Sequence, residues 1–292
     1  SRGLGDVYKR QVLKEGETLG FDGRVVSVGE GEGYAAIARK KNAKVNYQVD
    51  LIDEIWEDRP VLSEEPAFDL DVKYAGENVA SKLARIREEM KEAGTNVHVV
   101  STIDDICWTL NIRGNDIDFF PLVLSYGIIT MDSFELYIDE RKLDDKLKAE
   151  LAKDGVNLHP YNDIYEDVKK FGSDVVAMID PGKLNYALFN NIPENVKTVK
   201  KRNPAILMKA IKNPVEIENI RKAQIKDSVA HVRFMKWLKE NVGKMRITEM
   251  SASDKLDELR AEMGNFIRPS FEPISSFGEH GAIVHYLSLI HI

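Results

Sequence analysis

Two histidines near the end of the sequence are the first candidates for chemistry. His280 lies inside the glycine-bounded stretch Gly278-Glu279-His280-Gly281, and His285 follows in Gly281-Ala282-Ile283-Val284-His285-Tyr286. Imidazole is the usual acid–base group near neutral pH, and glycine allows backbone to approach a ligand closely. Core histidines occur in similar surroundings, so spacing alone does not separate the two readings. A second candidate is Arg113-Gly114-Asn115-Asp116, which follows an apolar segment. An arginine on such a loop could hold a carboxylate or carbonyl. Taken by itself, the run reads better as a helix terminus, with Arg113 complementing the dipole and Gly114 capping.

Other reactive types read as structural. His98 sits in an apolar strand, His159 precedes a proline, and His231 lies mid-helix among Val229, Val232 and Phe234, which suggests packing. Asp104 and Asp105 are adjacent at a helix start, where carboxylates serve free N–H groups and the positive dipole end. Cys107, between Ile106 and Trp108, reads as a buried thiol. Gly29, Gly31 and Gly33 invite a dinucleotide-binding reading, but the fingerprint needs a sixth-position glycine where Tyr34 stands. Glu30 and Glu32 would also repel a pyrophosphate, so the run is expected to be a flexible strand-to-helix turn. No serine lies in a G-x-S-x-G elbow. The single cysteine can build neither a Cys/His metal motif nor an intrachain disulfide, and it points to a reducing compartment.

These residues need elements to hold them. Arg24 to Val28 is a strand candidate and Tyr34 to Lys41 a helix. The Pro- and acid-rich run from Asp58 to Ala75 reads as a linker. Val79, Leu83, Ile86 and Met90 recur at helical spacing and predict a helix over 78–93 that stops at Gly94. Val97 to Val100 is a β-branched strand, followed by a capped helix through Leu110. Strands are expected over 122–130, 134–138 and 175–179, with a charged helix over 141–154. Asn213, Pro214 and Glu216 mark the start of a long helix to about Asn241, and Thr248 caps another to Met263. Alternating strands and helices imply an α/β unit with a mixed sheet.

The chain has 292 residues, enough for about two domains at roughly 150 each. Its net charge of −7 carries no basic surplus, which argues against nucleic acid as a partner. No apolar run approaches the roughly 20 residues of a membrane helix. Residues 1–11 and 287–292 show no period that fits the rest and are expected to be non-native tails.

Several longer stretches resemble one family. Trp108 to Asp116 and Pro121 to Tyr126 look like the middle domain of Xaa-Pro aminopeptidases. Ala210 to Arg221 is similar to the opening helix of their catalytic domain. Ser270-Phe271 and Gly281 to Tyr286 resemble their approach to the active site, and Asp53 to Pro60 the end of their first domain. The matches are colinear over most of 12–286.

The resemblance implies creatinase-type α/β domains, a mixed sheet with flanking helices, followed by the incomplete start of a pita-bread α+β domain. The implied organisation is residues 12–75 from the end of domain I with its linker, 76–203 as domain II, and 204–286 opening the peptidase domain. It also implies a cytoplasmic, metal-dependent hydrolase of peptides with proline at the second position, a homodimer, with two divalent metal ions, usually manganese. The resemblance makes His285 a catalytic residue that moves protons or stabilises the intermediate, and places Arg113 on a substrate-binding loop. The family's ligands, two Asp, one His and two Glu, would fall after His285, so no metal ligand is expected here and the chain alone is expected to be inactive. The alternatives are a non-catalytic creatinase-domain binding or scaffold protein, or a prolidase or creatinase relative. An exposed apolar stripe on the last two helices is expected to cause aggregation or a mobile final third.

Overall fold

The computed structural model describes residues 12–284 and 286. They fall into two compact units. The first comprises residues up to 70, 77–116 and 122–211; the second comprises 71–76, 117–121 and 212 onward.

The first unit runs β1 (Thr18–Gly20), α1 (Val28–Lys40), β2 (Lys44–Asn46), β3 (Phe68–Asp69), α2 (Val79–Glu92), β4 (Val97–Val100), α3 (Ile103–Thr109), β5 (Ile112–Arg113), β6 (Tyr126–Thr130), β7 (Phe134–Tyr137), α4 (Asp145–Lys153), β8 (Val156–His159), α5 (Ile164–Asp167), β9 (Val176–Ile179), α6 (Tyr186–Asn191), β10 (Lys197–Lys200) and α7 (Pro204–Ala210). Six strands form one mixed sheet in the order β10-β9-β4-β6-β7-β8. β10, β9 and β4 run parallel; β6 is antiparallel to both β4 and β7, and β8 is parallel to β7. This is the mixed sheet with flanking helices that the alternating pattern implies.

All four β4 residues are buried, because the sheet is covered on both faces. Leu83, Ile86 and Met90 of α2 pack over one face with Ile129, Phe134 and Leu136. Val28, Ile164, Val168 and Leu188 cover the other, against Val99, Ile128 and Ile179. Each fully buried aliphatic contributes about 1.5–3 kcal/mol. The predicted helix over 78–93 forms where its period put it: the Asn78 side chain accepts from Ser81 N–H, and Gly94 ends it in the left-handed region.

Two expectations fail near the start. Residues 24–27 are turn and bridge, not strand, and the glycine run is helix rather than loop. Ser27 and Glu30 form a reciprocal capping box, so α1 begins at Val28. At Gly31 the glycine is required because α1 lies close to a neighbour: a Cβ there would sit 2.2 Å from the Tyr186 ring. Residues 122–125 are irregular, and the expected 141–154 helix starts only at Asp145, after a 3-10 turn at Glu140–Lys142.

In the second unit, the short helix Val72–Ala75 meets α8 (Pro214–Asn241), and α8 pairs with α9 (Glu249–Glu262). The helix starts where predicted, with Asn213 as N-cap and Pro214 at the first helical position, and Asn213 and Glu216 form a capping box there. Asn213 Nδ2 also donates to Ala75 O at 2.8 Å. Among the described residues of α8 only Ala230 is fully buried. After α9 the chain is irregular apart from a 3-10 turn at Gly278–Ala282. No helix among the described residues is long and apolar enough to cross a membrane.

Candidate functional site

Arg113 is positioned by a succession of polar contacts within the first unit. Lys82 of α2 is buried, donating to Trp108 O (2.7 Å) and Asn111 Oδ1 (2.6 Å) with its ammonium 4.4 Å over the Trp108 ring. Asn111 takes a left-handed φ of 52°, which ends α3, and its amide donates to Glu77 O. β5 then pairs antiparallel with β3, Arg113 opposite Phe68. The Arg113 guanidinium turns back on the helix it follows: Nη1 donates to Cys107 O (2.9 Å) and Ile112 O (2.8 Å). The contact with Cys107 O, a carbonyl of the last turn of α3, is the helix-terminus arrangement; Ile112 lies in β5.

The loop beyond is tightly held. A Cβ on Gly114 would meet Val123 Cγ2 at 2.4 Å, so only glycine fits. Asp116 Oδ2 accepts from Leu124 N–H and from Lys142 Nζ, both at 2.6 Å. Cys107 is buried, and burial pushes its thiol up to about 11 despite the Val123 N–H aimed at Sγ. It is the inert thiol its neighbours suggest.

In the second unit one carboxylate gathers the final turn. Glu249, at the start of α9, accepts from Phe277 N–H (2.6 Å) and lies 2.9 Å from His280 Nδ1 through Oε1. Tyr286 O–H donates to Oε2 at 2.7 Å. The His280 and Tyr286 rings stack at 4.7 Å. The Tyr286 hydrogen bond is the main cause that holds the Glu249 carboxyl below its ordinary range. Desolvation, with the Glu249 charge added, pushes the Tyr286 phenol up to about 12. Sequence reasoning found His280 but missed Glu249; the signal was an acid at the first helical position after the Thr248 cap.

His285 lies outside the described residues. Arg113 belongs to the first unit and His280 to the second, and each is placed within its own. The remaining histidines are engaged locally. His98 is fully buried, its ring nitrogens 3.1 Å from Met178 O and 3.2 Å from Asn203 Oδ1. His159 pairs with Glu135 at 2.7 Å and stacks on Tyr137. His231 is not the expected packing residue. Its side chain is 45% exposed and turns to Asp227 of its own helix. The start of α3 lacks the expected cap: Thr102 makes no cap hydrogen bond and donates to Asp105 Oδ2, while Lys209 of α7 bridges Asp104 and Asp105, both in the first turn.

Two metal ions need several converging donors. Among the described residues no group of three or more His, Cys, Asp or Glu could hold a metal. The described residues do not fit a dinuclear centre.

Residues 58–216, more than half of the chain, match the Creatinase/Prolidase N-terminal domain. The chain belongs to the creatinase/prolidase N-terminal domain family. Residues 218–289 match the metallopeptidase family M24. Among relatives, the chain is 35% identical over 292 residues to a probable Xaa-Pro aminopeptidase P of Sordaria macrospora, covering 93% of this chain and 46% of that protein. It is 35% identical to Xaa-Pro aminopeptidase 1 of Dictyostelium discoideum over 94% of the chain and 46% of the relative. The solved X-prolyl aminopeptidase of Caenorhabditis elegans, described as a cytosolic enzyme with a di-nuclear active site, aligns with a TM-score of 0.90 at 30% identity. That alignment covers 97% of this chain and 47% of the other. The chain thus spans about half the length of the curated relatives it matches.

Proposed function

We propose that this chain forms part of a metal-dependent Xaa-Pro aminopeptidase, an enzyme that removes the N-terminal residue of peptides with proline second. One observation carries this reading: the likeness to proteins of that name extends over 93–97% of the chain. Within it, residues 12–75, 76–203 and 204–286 are assigned to two creatinase-like domains and the start of the peptidase domain. Arg113 is assigned to substrate binding, at the end of β5 beside a loop held by the Gly114–Val123 packing and the Asp116–Lys142 pair. His285 is assigned to proton movement or stabilisation of the intermediate. We further assign the enzyme to the cytoplasm, as a homodimer using two divalent ions, manganese by the family resemblance. The metal ligands are assigned outside the described residues, so the chain of 292 residues is expected not to cleave peptide by itself.

The test compares this chain with a longer protein from the same reading frame, on a tripeptide with proline second and a control with alanine second. The longer protein should release the first residue only from the proline peptide, and only with metal. His285→Ala should lower its kcat by about 10²–10⁴, and Arg113→Ala should chiefly raise KM. A folded, metal-loaded longer protein that leaves the proline peptide intact would sink the enzyme assignment. Metal-dependent cleavage by the 292-residue chain would sink the claim that it is inactive alone.

A further inference from the structure

A cavity of about 450 Å³ opens in the first unit, with Thr102, Asp180, Lys183, Lys201 and Arg202 on its walls. Its place in the sheet is informative. Thr102 follows β4, Asp180 follows β9, and Lys201 follows β10, so the cavity sits beyond the carboxyl ends of the three parallel strands. On its other side β4 pairs with the antiparallel β6. The crevice beyond the carboxyl ends of parallel strands is where open α/β sheets bind ligands.

Five cationic and three acidic side chains line it, and Glu32 and Glu89 outside the lining pair with two of the cations. The acids are already engaged. Asp105 accepts from Thr102, Asn203 and Lys209. Asp180 accepts from the N–H groups of Asn203 and Gly182, and Asp104 pairs with Lys209. Lys200 and Lys201 pair outward, with Glu32 and Glu89. Lys183 and Arg202 have no ion-pair partner among the described residues. Both stand on fixed backbone: Ser101 Oγ donates to Lys183 O, Lys183 N–H donates to Asp180 O, and the residues flanking Arg202 are tied to Ile179 and Asp180. The wall behind them, from His98 through Asn203 to Asp105, is buried.

We propose that this cavity binds a small dianion, the phosphate of a phosphorylated small molecule, held by Lys183 and Arg202. Arginine and lysine on an oxyanion make the strong class of hydrogen bond. The cavity volume suits a metabolite rather than a macromolecule. The site is independent of the aminopeptidase assignment and lies wholly within the first unit.

The test uses the 292-residue chain and inorganic phosphate at constant ionic strength, since screening alone mimics weak binding. Phosphorus NMR and calorimetry should give a saturable isotherm. Amide shifts should centre on residues 180–183 and 200–209. The double variant Lys183→Gln, Arg202→Gln should weaken binding by about tenfold or more. Lys40→Gln, Lys41→Gln, with the same charge change on the end of α1, should weaken it less than about twofold. The proposal fails if binding does not saturate, if the two variants lose equally, or if the shifted amides lie elsewhere. The shift map keeps the question open to refutation even should the double variant fold poorly.

Discussion

Asp116 and Lys142 meet at 2.6 Å with their side chains 0% and 2% exposed. The second oxygen, Asp116 Oδ1, has no hydrogen-bond partner among the described residues. A carboxylate so enclosed depends on its one countercharge and on the Leu124 N–H. Replacing Lys142 by methionine should therefore cost roughly 3–5 kcal/mol, the usual result of stranding one buried charge. Adding Asp116→Leu should recover much of that loss. Urea denaturation of both variants checks this. A single-variant loss below about 1 kcal/mol would mean that water reaches the carboxylate.

Gly31 and Gly33 lie two residues apart in α1 and should respond oppositely to alanine. At Gly31 the new Cβ meets the Tyr186 ring, whereas at Gly33 nothing lies within 4 Å. Gly31→Ala should destabilise by about 1–3 kcal/mol through overpacking. Gly33→Ala should stabilise by about 0.5–1 kcal/mol, because alanine is the better helix former. Thermal melts of the pair separate a packing requirement from a general tolerance of glycine.

The contrast also marks what could be read from the sequence. Elements set by local rules were legible: α2 from its apolar period, α8 from Asn213, Pro214 and Glu216, and β4 from its β-branched run. The mixed sheet followed from the alternation of such elements. The start of α1 was legible in Ser27-x-x-Glu30, a local capping box that the glycine run obscured, whereas the need for glycine at position 31 was not, because its cause lies 155 residues away, at Tyr186. Arg113 was found and does contact a helix-terminal carbonyl, Cys107 O, but Gly114 is not the cap expected of it: the helix ends at Thr109 and Asn111 takes the left-handed position. The partners that brace its loop, Lys82 and Lys142, were missed because buried lysines are rare and no local pattern signals one. Glu249 was missed for a related reason, since its contacts come from residues 28 to 37 positions later.

Glu135 gives a pH-dependent prediction. Burial alone would raise its carboxyl, but hydrogen bonds from Ser133, His159 and Asn157 outweigh that and hold it below the ordinary value. A depressed carboxyl stabilises the fold above the unfolded-state pKa, near 4.3, and loses that contribution as pH falls through the folded-state value. Glu135→Gln should therefore destabilise the protein at neutral pH, and the difference from the parent should shrink below about pH 4. Denaturation midpoints across a pH series test this. A difference that stays constant from neutral to acid pH would assign the effect to packing rather than charge.

The last prediction concerns α8. Ile225, Val232 and Met235 are 66%, 60% and 52% exposed, and Val229 is exposed as well. A helix that is apolar on a side it does not bury supplies contact area for association, since soluble monomers rarely present large apolar patches. The chain is therefore expected to self-associate with rising concentration and to bind an environment-sensitive apolar dye. Ile225→Lys with Val232→Glu should suppress both effects without lowering the melting temperature, because neither side chain is in the packed core. Sedimentation velocity over a concentration series distinguishes the outcomes. A chain that remains monodisperse at high concentration, or a double variant that associates as strongly as the parent, would place the adhesive surface elsewhere.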